Sequence, residues 1–371
     1  MSNAAAPTRL PVSVLTGFLG SGKTTLLQKL LAHPDMSRTA VVINEFGEIG
    51  LDHLLVAKAS ENMVLMESGC VCCSIRGDLV NTLRDLFIQR VRGEITEFDR
   101  VIVETTGLAD PAPILHTLMS DPLLAARFRL DSVIATVDAV HGSNQLDRQP
   151  ESVKQAAVAD RIVLTKSDAA TEEAMTTLLK RLKAINPAAP VIKASFGDVD
   201  PADLFNAGLY NPETKSPDVM RWLRDEAYRE QQDHDHHDHG HDHEHGHECG
   251  EHCDHDHDHD HVHGHDHNRH DDHIRSFSML IEQRIPWNAF VDFMDAVVSA
   301  GGENMLRVKG MLNVVESEKP IVVHGVQHMF HPPVQLEEWP TEDQRSKLVF
   351  ITRDMDQTMI RQMFKQFVGV S

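Results

Sequence analysis

Short apolar runs alternate with amphipathic stretches through the first half of the chain. Val12-Ser13-Val14-Leu15 reads as a buried strand, and a helix is expected from about Gly22 to Leu31. Further strands are expected at Ala40 to Ile43, Met63 to Met66, Val101 to Glu104, Val133 to Val137, Arg161 to Thr165 and Val191 to Ala194. Helical patterns lie between them, such as Leu79, Leu83, Leu86, Phe87 and Arg90. Strand and helix in alternation predict an α/β fold with a mostly parallel sheet covered on both faces. After a long polar interruption the rhythm changes. Ile274 to Ile285 reads as a strand, Pro286 starts a helix to about Ala300, and Pro suits a first turn. Leu306 to Val315, Lys319 to His324 and Lys347 to Thr352 read as strands, and Met355 to Phe367 as a closing helix. This half predicts a smaller α+β domain with a mainly antiparallel sheet.

The expected organisation is therefore a tail over residues 1–10, a nucleotide-binding domain over 11–210, a linker over 211–273 and a C-terminal α+β domain over 274–371. Charge sharpens the linker. The 371 residues carry a net charge of −21 from 56 acids and 35 basic residues. Residues 233–273 hold 14 of those acids, a single Arg and 18 of the 25 histidines. The remainder is only mildly acidic, without the basic stripe that nucleic-acid binding needs. The His-rich stretch has almost nothing apolar, cannot bury a core, and reads as a disordered linker. Met1 to Pro11 has no apolar core of a signal peptide, and no apolar run approaches the roughly 20 residues that span a bilayer. A soluble, cytoplasmic protein is expected, with neither nucleic acid nor membrane as partner.

The strongest chemical signal follows the first strand. Gly17-Phe18-Leu19-Gly20-Ser21-Gly22-Lys23-Thr24 matches the phosphate-binding loop in full, with Thr25 next to it. Gly17, Gly20 and Gly22 let the backbone turn so that N–H groups, including that of Ser21, face an anion. The helix that follows adds the positive end of its dipole. Lys23 is expected to reach the β- and γ-phosphates, and the Thr24 hydroxyl to ligate Mg²⁺. Glu104 ends a strand and is the candidate acid supporting Mg²⁺ or its water, while Gly107 approaches the γ-phosphate through its N–H. Thr165-Lys166-Ser167-Asp168 ends another strand. Asp168 pairs with the N1–H and exocyclic amine of guanine, a donor pair that adenine lacks, which favours GTP over ATP. Thr stands where a guanine-binding loop usually has Asn, and Ser195 helps to seat the base. Glu45 or Glu48, in Asn44-Glu45-Phe46-Gly47-Glu48, sits where a switch loop senses the γ-phosphate.

The five cysteines fall in two clusters, Cys70/Cys72/Cys73 and Cys249/Cys253. In a reducing compartment such clusters suggest metal ligation before disulfides. Three thiols in Gly69-Cys70-Val71-Cys72-Cys73 suit Zn²⁺, Cu⁺ or Co²⁺. They do not close a tetrahedron, so a distant side chain, water or another protein supplies the fourth ligand, and such a site exchanges its metal. His234, His236, His237, His239 and His241, with Cys249 and Cys253, offer low-specificity ligands that gather metal near the cysteines. Loading there should weaken as pH falls through the His range.

Together these stretches, with Glu104-Thr105-Thr106-Gly107-Leu108-Ala109-Asp110-Pro111, Leu306-Arg307-Val308-Lys309-Gly310 and His324-Gly325-Val326-Gln327, resemble the CobW family of metal-handling P-loop GTPases. The resemblance implies a metallochaperone. Cys70, Cys72 and Cys73 become ligands of zinc, with Co²⁺ as the alternative cargo. Lys23, Thr24 and Glu104 become the phosphate and Mg²⁺ site, with Lys23, Glu45 and Glu104 catalytic for GTP hydrolysis. The partners implied are metalloprotein clients, and a homo-oligomer is open. Three other readings stand beside it: cobalt delivery to cobalamin synthesis, metal storage or sensing regulated by nucleotide, and an ATP-dependent kinase, against which Asp168 argues.

Overall fold

The computed structural model describes residues 9–44, 64–67, 75–205 and 273–369. Seven strands form the first sheet: β1 (Leu10–Gly17), β2 (Thr39–Asn44), β3 (Val64–Glu67), β4 (Arg100–Thr105), β5 (Phe128–Asp138), β6 (Arg161–Thr165) and β7 (Val191–Lys193). They lie in the order β3-β2-β4-β1-β5-β6-β7, and every pairing is parallel. The strands read as unbroken apolar runs because both faces are covered. In β1, Val12 and Val14 join the core on one face while Leu15 joins the other. In β4, Val101 and Val103 take the first face and Ile102 the second.

Helix α1 (Lys23–Leu31) covers the second face with Leu26, Leu27, Leu30 and Leu31. Each such leucine contributes about 2 kcal/mol by leaving water. The first face is covered by α2 (Ile75–Arg92), α3 (Ala112–Ser120), α4 (Pro122–Arg127), α5 (Gly142–Arg148), α6 (Pro150–Val158) and α7 (Glu172–Ile185). A single turn, α8 (Pro201–Leu204), closes the described part of this domain.

The second sheet is antiparallel throughout. It comprises β8 (Ile274–Ile281), β9 (Met305–Leu312), β10 (Ile321–Val326), β11 (Met329–Phe330), β12 (Val334–Gln335) and β13 (Ser346–Arg353). The order is β11-β10-β9-β13-β8, with β12 also on β10. Helices α9 (Trp287–Gly301) and α10 (Gln357–Val368) pack on one face through Phe290, Phe293, Ile360 and Phe364. The other face lies against the first domain: Met311, Val322, Val326 and Val349 share a core with Leu115 and Leu118, and Leu306 and Ile351 share one with Ala156 and Ala157.

Four sequence expectations shift. The strand expected to run to Ile285 ends at Ile281, because the next stretch turns: Arg284 donates to the carbonyls of Val314, Val315 and Ser317. The strand expected to reach Val315 stops at Leu312, since the Asn313 N–H bonds to Ser346 Oγ and Val314 turns to a bridge with Ile285. Pro286 caps α9 instead of entering its first turn, with ψ of 128°, and Glu316 takes the exposed N–H of Trp287. β5, at eleven residues, outruns the five expected, because buried Asp131 and its partner Arg129 interrupt the apolar pattern.

Candidate functional site

The loop after β1 turns on two glycines. Gly17 has φ of 142°, and a Cβ there would fall 2.2 Å from Thr136 Oγ1. Gly22 has φ of 89° and caps α1, a left-handed position that a side chain would strain. The first turn of α1 therefore presents its backbone N–H groups and the positive end of the helix dipole at the loop. Lys23 lies across the loop, its Nζ donating to the Gly17 carbonyl at 2.8 Å and the Phe18 carbonyl at 3.2 Å. Ser21 is buried with its hydroxyl 2.6 Å from Thr136 Oγ1, so it braces the loop from the protein side.

A cavity of about 330 Å³ opens here. Leu19, Gly20, Lys23, Thr24 and Thr25 form one wall, and Glu104, Thr106, Gly107 and Lys166 another. The Thr24 hydroxyl donates to Glu104 Oε1 at 3.4 Å, and Glu104 is 6 % exposed at the end of β4. Two hard oxygen donors side by side above a phosphate loop are the donor set that suits Mg²⁺. Gly107 touches the loop directly, since a Cβ on it would lie 2.6 Å from Leu19 N.

On the base side, Thr165 donates its hydroxyl to the Ser21 carbonyl at 2.7 Å. Lys166, left-handed at φ 54°, donates to the Gly20 carbonyl at 2.8 Å and to Asp138 at 2.6 Å. Burial alone would raise the Asp138 carboxyl, but Lys166 and the N–H groups of His141 and Val140 hold it below the usual carboxylate range. Ser167 and Ser195 lie within 3.2 Å of each other, which brings the loops after β6 and β7 together. Asp168 is exposed beside them.

Comparison with known proteins follows the same boundaries as the two sheets. Residues 11–193 match the family profile described as CobW/HypB/UreG, nucleotide-binding domain. Residues 274–368 match that of the cobalamin synthesis protein cobW C-terminal domain, so the two take in well over half of the chain. The chain belongs to the CobW family.

Among curated CobW-family relatives, the zinc chaperone YjiA of Escherichia coli is 43 % identical over 197 residues, 53 % of this chain and 61 % of the relative. The zinc-regulated GTPase metalloprotein activator 1 of Schizosaccharomyces pombe is 31 % identical over 215 residues, 56 % of this chain and 51 % of the relative. The matches thus span little more than half the length of these relatives. The crystal structure of Zn(II)-bound YjiA GTPase from E. coli superposes with a TM-score of 0.66 at 27 % identity, covering 97 % of this chain and 99 % of that one.

The structure brings Gly17, Gly20, Ser21, Gly22, Lys23, Thr24, Thr25, Glu104, Gly107, Thr165 and Lys166 together around the loop. Glu45, Cys70, Cys72 and Cys73 lie outside the described residues, as do His234, His236, His237, His239, His241, Cys249 and Cys253. β2 and β3 are neighbouring parallel strands at one edge of the sheet.

Sequence reasoning missed Asp138, Lys154 and Gln155. Gln155 Nε2 donates to the carbonyls of Gly107 and Ala109 at 3.2 and 3.1 Å, and Lys154 Nζ lies 2.9 Å from Asp110. A polar Gln on the buried face of an otherwise apolar helix was the available signal.

It missed a second polar centre as well. Asp160, buried between the domains, accepts from Arg307 and from Lys309 at 2.8 Å. Burial would raise the Asp160 carboxyl, but the Arg307 and Lys309 cations hold it low. Burial pushes the Lys309 ammonium down to about 8, with Arg307 adding to the effect against the pull of Asp160. The His324 and His331 rings lie nearby, tilted at 41° with centroids 5.4 Å apart, and His116 bonds the Val326 carbonyl across the interface at 2.9 Å.

Proposed function

We propose that this protein is a GTP-hydrolysing metallochaperone that carries zinc on Cys70, Cys72 and Cys73 and passes it to client metalloproteins in the cytoplasm. The observation that carries the reading is the cavity where Lys23, Thr24, Glu104 and Gly107 converge on a glycine-turned loop at the start of α1. The backbone N–H groups from Gly20 to Thr24 face the phosphates, and Lys23 moves from the loop carbonyls to the β- and γ-oxygens. Thr24 and Glu104 would hold Mg²⁺, which would supply charge neutralisation on the phosphates. Gly107 follows the γ-phosphate, and Asp168 with Ser195 seats guanine. Glu45 or Glu48 belongs to the stretch that senses the γ-phosphate.

Zinc is favoured because two relatives to which this chain is similar bear zinc in their names, and because thiolates with imidazoles are a borderline donor set. The match to a profile named for cobalamin synthesis keeps cobalt as the second cargo.

The test is nucleotide turnover with GTP and with ATP, each with Mg²⁺ and with or without Zn²⁺ or Co²⁺. GTP is expected to turn over at least about tenfold faster than ATP, because Asp168 pays a desolvation penalty with adenine. Equal rates would remove the GTPase reading. Metal-dependent turnover that survives Cys72→Ala would remove the cysteine motif as the responsive site.

A further inference from the structure

We propose that α6 is a strut that couples the Gly107 loop to the C-terminal domain, with Gln155 as the positioning residue that reads the loop. This inference rests on the GTPase reading above and extends it to the part of the chain that site does not touch.

The C-terminal half of the helix is anchored to two different things. Gln155, 1 % exposed, holds two successive features of the loop through one amide: Nε2 donates to the carbonyls of Gly107 and Ala109. Lys154, its neighbour, fixes the same loop by its ion pair with Asp110. One helical turn further on, the chain runs from Val158 through Ala159 to Asp160. Asp160 Oδ2 accepts from the Val133 N–H in β5 at 2.9 Å, and Oδ1 accepts from Arg307 and Lys309 in β9. Asn186 holds the carbonyls of Ala156, Ala157 and Ala159, which ties this end to α7 as well.

The body of the helix is packed in the same direction. Val153, Ala156 and Ala157 lie in one core with Leu306 and Ile351 of the C-terminal sheet. A close-packed core transmits a displacement instead of absorbing it. Gln155 and Val158 are separated by about one helical turn, roughly 5 Å, so the loop contact and the interface contact are joined without an intervening flexible element.

One atom points to a second position of the loop. Gln155 Oε1 is buried and accepts no hydrogen bond among the described residues. A buried amide oxygen without a donor is costly. A rearranged Gly107 loop that turns a backbone N–H toward Oε1 satisfies it, and gives the helix two discrete grips on the loop. The γ-phosphate selects between them through Gly107, and the choice reaches Arg307 and Lys309 through Asp160.

The test is hydrogen exchange of residues 305–312 and 321–330 in the full chain, with Mg²⁺ and either GDP or a non-hydrolysable GTP analogue. In the wild type the analogue is expected to change exchange there by about fivefold or more relative to GDP. In Gln155→Met that response falls below about twofold while the analogue still binds, and kcat drops with KM held within about twofold. Lys154→Met, a change at a half-buried and tolerant position, is expected to reduce the response in the same direction and keeps the test available if Gln155→Met fails to fold. A bound analogue with no response in the wild type overturns the coupling. A full response in both variants overturns α6 as its route. Failure of the analogue to bind overturns the GTPase reading and this inference with it.

Discussion

Thr165 donates its hydroxyl to the carbonyl of Ser21 at 2.7 Å, so the end of β6 is tied directly to the loop after β1. Lys166 makes the next tie, to the carbonyl of Gly20. Thr in place of the expected Asn is thereby explained: the position braces the loop, and a hydroxyl serves. Thr165→Val keeps the shape and leaves the Ser21 carbonyl unpaired, at a cost of about 1–3 kcal/mol. Affinity for a fluorescent GTP analogue is expected to fall about tenfold, while Thr165→Asn, which retains a donor, stays close to the wild type. Unchanged affinity in Thr165→Val would contradict the bracing role.

Gly107 leaves no room for a side chain. A Cβ there would meet Leu19 N at 2.6 Å and Leu19 Cα at 2.8 Å, backbone atoms that cannot swing aside. Gly107→Ala should displace this loop from the phosphate loop without touching Lys23 or Thr24. Hydrolysis is expected to drop about 100-fold, the scale of an angstrom-sized misplacement. GDP affinity should stay near the wild type. Measuring both on one preparation separates this outcome from general misfolding.

Thr24 and Glu104 are assigned to the same ion, and that has a signature. Glu104→Gln keeps the size and removes the charge, and the Mg²⁺ concentration for half-maximal turnover is expected to rise about tenfold or more. Thr24→Ala should act likewise. The double variant should lose less than the two single losses combined, because residues acting on one group are not additive. Strict additivity in a Mg²⁺ titration would place the two on separate tasks.

Acid should loosen the domain interface. Burial holds the His324 imidazole well below its ordinary range, with Arg307 adding to it. Burial and Arg307 push His331 down to about 4, against the pull of Asp160. In the unfolded chain both take up a proton near pH 6.5, about where a free His titrates. Between that value and about 4 the unfolded chain binds more protons than the folded one, so stability falls as pH falls through this window. His331 alone accounts for roughly 2–3 kcal/mol by pH 4, at about 1.4 kcal/mol per unit. Urea unfolding from pH 7.5 to 4.5 should show the loss, and His331→Gln should flatten it. An identical slope in the variant would contradict it.

What the sequence made legible divides by range. The phosphate loop is a local pattern, with Gly17 and Gly22 needed for backbone reasons and Lys23 and Thr24 following in register, so it is readable without the fold. The buried strands of the first sheet are readable because both faces are apolar. Gln155 and Asp160 are not, because each acts on a partner far along the chain: Gln155 on Gly107, and Asp160 on Lys309. Charged and apolar residues alternate along β9, yet Arg307 and Lys309 are 2 % and 7 % exposed against the other domain. Nothing local distinguishes a charge that meets water from one that meets a buried carboxylate. The ends of β8 and β9 were overrun for a related reason, since Ile285 and Val314 are apolar but pair with each other outside the ladder.

The central claim is that GTP hydrolysis moves zinc off the protein, and it is tested by following both in one sample. Protein carrying one equivalent of Zn²⁺ is mixed with a chromogenic chelator and Mg²⁺, and given GTP, GDP or a non-hydrolysable GTP analogue in turn. The account predicts that zinc reaches the chelator in step with phosphate released from GTP, and is held with the analogue. Zinc that leaves equally fast under all three, or stays bound through repeated turnovers of GTP, would contradict it.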